Sequence, residues 1–159
     1  MPLHRFFIPP NLYSDEDKQT LSKAITDLYA QRGLPEFYVV VLFIEIPRNG
    51  YFVGGRATDN FVRVVVHHLA RQFATDRDKT RFMDTYEQTI APFTKARGVD
   101  WEVEIIDSDV SSPFRLTSLS SFSRKPQLWR ENGIIPPHVV HNAEIELLWA
   151  KENRPLPYY

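Results

Sequence analysis

The sequence predicts an α/β (α+β) protein in which tandem β-α-β repeats form a four-stranded sheet with two helices on one face. Three observations carry that expectation. Ser14-Asp15-Glu16-Asp17-Lys18 is echoed by Thr75-Asp76-Arg77-Asp78-Lys79, and Arg32-Gly33 is echoed by Arg97-Gly98. Each echo stands in the same order of strand, cap, helix, glycine stop and strand. Self-similarity at this period is the mark of a repeated supersecondary unit. Parallel strands joined by a helix take a right-handed crossover, so two units in series place both helices on one side. We read 1–159 as one domain, with repeat one at about 2–46, repeat two at about 61–107 and a C-terminal extension at 108–159.

Pro2 opens the first strand. Ser14 or Asp15 caps the first helix, and the acidic residues that follow suit the positive end of its dipole. Leu21, Ala24, Ile25 and Leu28 then fall at helical spacing and give one buried stripe. Gly33 supplies a left-handed stop and Pro35 prevents the helix resuming. The run from Phe37 to Ile44 is β-branched and aromatic with no polar face, which argues for a central strand buried on both sides. Pro47-Arg48-Asn49-Gly50 is turn chemistry leading to Tyr51-Phe52-Val53-Gly54-Gly55.

In the second repeat Phe61 to Val66 reads as a strand, and Phe82, Tyr86, Ile90 and Phe93 form the helix stripe. The regions 14–32 and 75–96 are therefore expected to be helical. Pro92 should kink or shorten the second helix because it removes a backbone bond four residues back. Trp101 to Ile106 alternates with period two, as a strand with one polar face does. Residues 108–123 are serine-rich and read as loop. His141 to Asn153 reads as a short packing helix, and the Pro-Leu-Pro-Tyr-Tyr tail as extended chain.

With both helices on one face, the other face of an apolar sheet would meet water. Exposed apolar sheet of that size predicts self-association or cover by the C-terminal segment. Nineteen basic and 20 acidic residues leave a formal charge of −1. That balance offers nucleic acid no electrostatic footprint and points to no membrane surface. Without cysteine there is no disulfide framework, thiolate zinc site or thiol nucleophile. The longest apolar run, Phe37 to Ile44, is far short of the roughly 20 residues a membrane helix needs, and the start lacks the apolar core of a signal peptide. The expectation is a cytoplasmic protein.

Pro2 is the first candidate for chemistry. Removal of Met1 ahead of a small residue would leave Pro2 with a secondary amine. Burial against Leu3 and Phe6 would lower its pKa by disfavouring the charged form, and a neutral amine is a competent general base or nucleophile. Met-Pro is also simply a common start. His67 and His68 are adjacent, so on a strand they point to opposite faces and cannot chelate one metal. No metal site and no cofactor are expected, since Gly54-Gly55 lacks the lysine or third glycine of a phosphate loop and the serines near Ser120 carry no His/Asp pattern.

At this point the chain resembles a known family. A strand headed by Met-Pro, then Ser22-Lys23-Ala24-Ile25-Thr26-Asp27 on an amphipathic helix, then an apolar strand, resembles the tautomerase superfamily. The doubled β-α-β chain, with Phe52-Val53-Gly54-Gly55 and Arg71 after the third strand, is similar to the cis-3-chloroacrylic acid dehalogenase-like family. The likeness covers residues 2–107 well and is patchy beyond. It implies a tautomerase-like fold, a homotrimer, and an amino-terminal proline acting on a small carboxylate substrate by enol–keto tautomerisation or by hydration of halogenated acrylates.

Carried over by position, Pro2 matches the family's proline. Arg71 matches the first of two carboxylate-binding arginines, and Ala74 stands at the second with Arg77 the nearest basic residue. Glu131, in Trp129-Arg130-Glu131-Asn132-Gly133, falls in a segment resembling the one that bears the water-activating glutamate. Tyr29 occupies the position of a family histidine, and Glu104 that of a fourth-strand tyrosine. Read from the residues alone, Arg71 is a solvated strand-end side chain, Glu131 a loop carboxylate or an acid/base raised by Trp129, and Tyr29 a packing tyrosine or a hydroxyl donor. The other reading is a catalytically silent homo-oligomer that uses the scaffold for binding. It applies if Met1 stays attached, because an amide nitrogen at Pro2 has no basicity.

Overall fold

The computed structural model describes residues 2–68, 73, 75–107, 129–135, 142–152 and 155–158. Along the chain run β1 (Leu3–Ile8), α1 (Asp15–Ala30), β2 (Val40–Glu45), β3 (Phe52–Val53), β4 (Arg56–Ala57), β5 (Phe61–His68), α2 (Asp76–Ile90), β6 (Asp100–Asp107), β7 (Trp129–Glu131) and α3 (Ala143–Glu152). β1 pairs in parallel with β2, as β5 does with β6, and β1 meets β5 antiparallel. These four strands are the expected sheet, in order β2-β1-β5-β6. β7 adds a fifth, antiparallel to β6.

Each repeat starts its helix the same way. The Ser14 side chain accepts from the Asp17 amide while Asp17 caps back, and Thr75 with Asp78 repeats the arrangement. A reciprocal pair of this kind satisfies two of the donors that a helix start leaves open. Both glycine stops sit in the left-handed region, Gly33 at φ +80° and Gly98 at φ +68°, where a side chain would be strained. The helix stripes face one side of the sheet. His4 shows this directly, since its ring meets Tyr29 of α1 and Tyr86 of α2. Phe6, Ile8, Val62, Val64, Val66, Val103 and Ile105 lie beneath Leu21, Ile25, Phe82, Met83 and Ile90 in one core. Pro92 acts as expected: α2 ends at Ile90, and a tight turn from Ala91 to Phe93 follows.

Two expectations need correction. The Phe37–Ile44 run is not a central strand. Phe37 and Tyr38 form a short turn, with Phe37 78% exposed, and β2 is the edge strand of the sheet, half-buried rather than buried. A purely apolar sequence was read as doubly covered, when one of its faces is the open side. That open face is also less apolar than expected. Leu42 and Ile106 are exposed there, but Arg63 binds Glu102 and Glu104, and Arg5 lies 3.3 Å from His67. Phe52-Val53 and Arg56-Ala57 close a small hairpin over Gly54 and Gly55.

The serine-rich stretch 108–123 lies outside the described residues. β7 was not foreseen, because its three residues carry no pattern of their own. It is held by side chains instead. Arg130 binds Asp84 at 2.7 Å and Glu87 at 3.2 Å on α2, while Asn132 accepts from the Trp101 amide at 2.7 Å. α3 falls where the sequence placed a helix, and Trp149 donates to the Leu156 carbonyl at 2.9 Å. Among the described residues, no helix is long and apolar enough to cross a membrane.

Candidate active site

Pro2 is buried just ahead of β1, and its carbonyl accepts from the Val40 amide at 3.0 Å, so β2 fixes its backbone. Leu3 stands opposite His67 in the β1–β5 ladder. One step outward, Pro2 therefore lies beside His68, and the alternation of the strands puts both on the helix side.

That end of the sheet carries a cluster of polar aromatic rings. His4 is fully buried, and its Nδ1 lies 2.9 Å from the Tyr86 hydroxyl. The Tyr29 hydroxyl lies 3.3 Å from His68 Nδ1. Phe73 stacks on His68 at 4.6 Å between centroids, and the Arg32 guanidinium sits 5.7 Å over Phe82. The surroundings strongly disfavour charge. Burial, with His68 nearby, pulls His4 down to about 3, and burial holds both the Tyr29 and Tyr86 hydroxyls protonated well above the usual tyrosine range. Desolvation penalises whichever form bears the charge, so a base here is kept neutral and an acid protonated.

The structure brings two of the sequence candidates to one end of the sheet and places a third, Glu131, elsewhere. Pro2 and Tyr29 both lie at this end, with Tyr29 only 2% exposed and its hydroxyl turned to His68. Arg71 and Ala74 lie outside the described residues, while His68 and Phe73, which flank Arg71, are at the site. Arg77 is exposed in the first turn of α2. Glu131 stands on β7 opposite Glu102, which pairs with Arg63, five positions along β5 from His68. That is roughly 17 Å along the strands and three strand spacings of about 4.8 Å across, so one chain does not bring Glu131 to Pro2. Glu104 bonds Arg63 on the open face, away from the rings.

His4, His68 and Tyr86 were not singled out as site residues. The signal was present for the first two, since period-two alternation puts His4 on the face of Phe6 and Ile8, and His68 on that of Val66. Tyr86 reads as helix stripe in the sequence, which it also is. The described residues hold no group of three or more possible metal ligands.

A tandem β-α-β sheet with its helices on one face, and a cluster of buried rings beside an amino-terminal proline, defines a protein of the tautomerase class. The chain belongs to the tautomerase family whose description reads "Putative oxalocrotonate tautomerase enzyme", matching it over residues 1–154. Among solved structures it is similar to native RhCC from Rhodococcus jostii RHA1, at 40% identity over 98% of this chain and 99% of that one, with a TM-score of 0.66. It is also similar to a probable enzyme from the thermophilic fungus Aspergillus fumigatus, at 32% identity over 99% and 98%, TM-score 0.63. A fused 4-OT solved as an asymmetric trimer shares the fold at 19% identity over 73% and 94%, TM-score 0.56. No curated protein matches the chain.

Proposed function

We propose that the protein is an isomerase that interconverts the enol and keto forms of a small carboxylate, with Pro2, freed of Met1, as the proton carrier. The observation that supports this best is the burial of Pro2 in surroundings that keep the neighbouring His4 neutral down to about pH 3. An α-amino group ordinarily titrates near 7.7–8.0, and the same desolvation favours its neutral, basic form. The amine takes the enol hydroxyl proton as the carbonyl forms, and the resulting prolinium returns a proton to carbon. The balance needs no oxidant and no co-reactant.

In this reading Arg71 grips the substrate carboxylate through its planar fork, which also steadies the developing enolate. Tyr29 acts through His68 from the core side, and Glu131 would assist from a neighbouring copy rather than from its own chain. We take that assembly to be a homotrimer, in keeping with the fused 4-OT trimers that share the fold, and the protein to be cytoplasmic. Within the superfamily we place it with the cis-3-chloroacrylic acid dehalogenase-like proteins. With Ala74 and Tyr29 at two of the expected positions, halide release from 3-chloroacrylates should be absent or a trace.

The test begins with intact mass, to establish that Met1 is gone. Pro2→Ala should then lower kcat/KM for enol–keto conversion of a small 2-hydroxy enol acid by about 10²–10⁴-fold with the fold unchanged, the usual loss for a positioned base. Equal rates in wild type and variant would overturn the assignment, and a retained Met1 would move the protein to the silent binding reading. Vigorous halide release in a parallel assay would overturn the expectation about chloroacrylates.

A further inference from the structure

Pro2 has a fixed neighbour whose role the reaction does not yet use. Pro2 and His68 are the next residues beyond the last pair of the β1–β5 register, Leu3 with His67, and the Tyr29 hydroxyl is 3.3 Å from His68 Nδ1. The ring cannot turn freely, since Phe73 stacks flat on one side at 4.6 Å and Phe82 lies 5.2 Å away. We propose that the Tyr29–His68 pair is a positioning device for Pro2, which orients the proline and keeps its amine unprotonated. The inference rests on Pro2 being the proton carrier.

The chemistry runs through the tautomer. A buried tyrosine that keeps its proton donates to Nδ1, which leaves the imidazole hydrogen on Nε2. The positive end of the ring dipole then lies away from Tyr29. A positive charge on the buried Pro2 is disfavoured by that dipole and by desolvation together. The other ionisable groups around these rings include His4 on β1, Arg32 just past the end of α1, and Tyr86 and the buried Lys79 on α2, the last paired with Asp76 at 2.8 Å. His4 Nδ1 and the Tyr86 hydroxyl are bonded to each other, while Arg32 is engaged with the Leu28 carbonyl at 2.5 Å and the face of Phe82. The carboxylate among them, Asp76, is exposed and engaged by Lys79.

Tyr29→Phe removes only the hydroxyl, and His68→Phe keeps the ring volume but removes both nitrogens. The direct readout is the nitrogen-15 NMR titration of Pro2 in the Met1-free protein, which works whether or not a substrate has been found. We expect the Pro2 pKa to rise by at least half a pH unit in both variants. The acid limb of the kcat/KM profile should move with it, kcat should fall about ten-fold or more, and KM should stay within about two-fold. The double variant should be no worse than either single, because the two residues act as one unit. A Pro2 that titrates normally and does not shift in either variant would overturn the pair's role and leave the tautomerase reading standing. Unchanged rates in Pro2→Ala would overturn the tautomerase reading instead, with the titration still deciding the pair.

Discussion

At the scale of single residues, the buried contact between His4 and Tyr86 has a measurable consequence. His4 lies fully buried with its Nδ1 on the Tyr86 hydroxyl. Its pKa is depressed from 6.5 to about 3, so between those values the unfolded chain binds a proton that the native chain does not. Stability therefore rises with pH across that window and is lost as pH falls through it, with a slope of up to about 1.4 kcal/mol per pH unit. Urea midpoints from pH 7 to pH 4.5 should show that slope in wild type and a flatter one in His4→Gln. Asp17, held far below the usual carboxylate range by Arg97, adds a slope of the same sign only as pH approaches the ordinary carboxylate value, below the range of this measurement. Tyr86→Phe should cost about 1–3 kcal/mol, because it strands a buried imidazole nitrogen. Arg71→Ala belongs to this scale as well. If it holds the carboxylate, steady-state kinetics should show kcat/KM falling chiefly through KM, and an unchanged KM would remove it from the site.

Among the elements, the two helices were readable because their signals are local. The cap, the acidic first turn, the apolar stripe and the glycine stop each lie within a few residues of what they control. Ser14→Ala and Thr75→Ala should each cost about 1 kcal/mol in chemical denaturation, and markedly unequal losses would show that the repeats do not rest equally on their caps. Strand placement was harder to read. Phe37 to Ile44 has the composition of a central strand, but whether a strand is central depends on which partners lie either side, and that is settled by residues far away. β7 gave no signal at all, for Arg130, Asp84 and Glu87 meet only after folding. The site shows the same division. Pro2 and Tyr29 could be picked from their positions along the chain, whereas the crossing of α1 to His68 and of α2 to His4 is visible only in three dimensions.

Over the whole molecule, the open face of the sheet mixes exposed Leu42 and Ile106 with the Arg63–Glu102–Glu104 pairs. Large mixed faces of this kind suit association between copies. Light scattering at micromolar concentration should give three chain masses of 18.6 kDa, and a clean monomer would defeat the trimer. The two Tyr–His bonds carry a different consequence. Each runs from one half of the chain to the other, Tyr29 in the first repeat to His68 in the second, and Tyr86 in the second to His4 in the first. Neither half can satisfy its own buried histidine. A fragment ending in the β3–β4 hairpin would carry an unanswered imidazole and an uncovered strand edge, and its complement would carry the reciprocal pair. The two pieces are thus a lock and key made from a single duplicated part. A backbone cut between Gly54 and Gly55 should leave them bound to each other without a covalent link, while either piece made alone should fail to hold its shape.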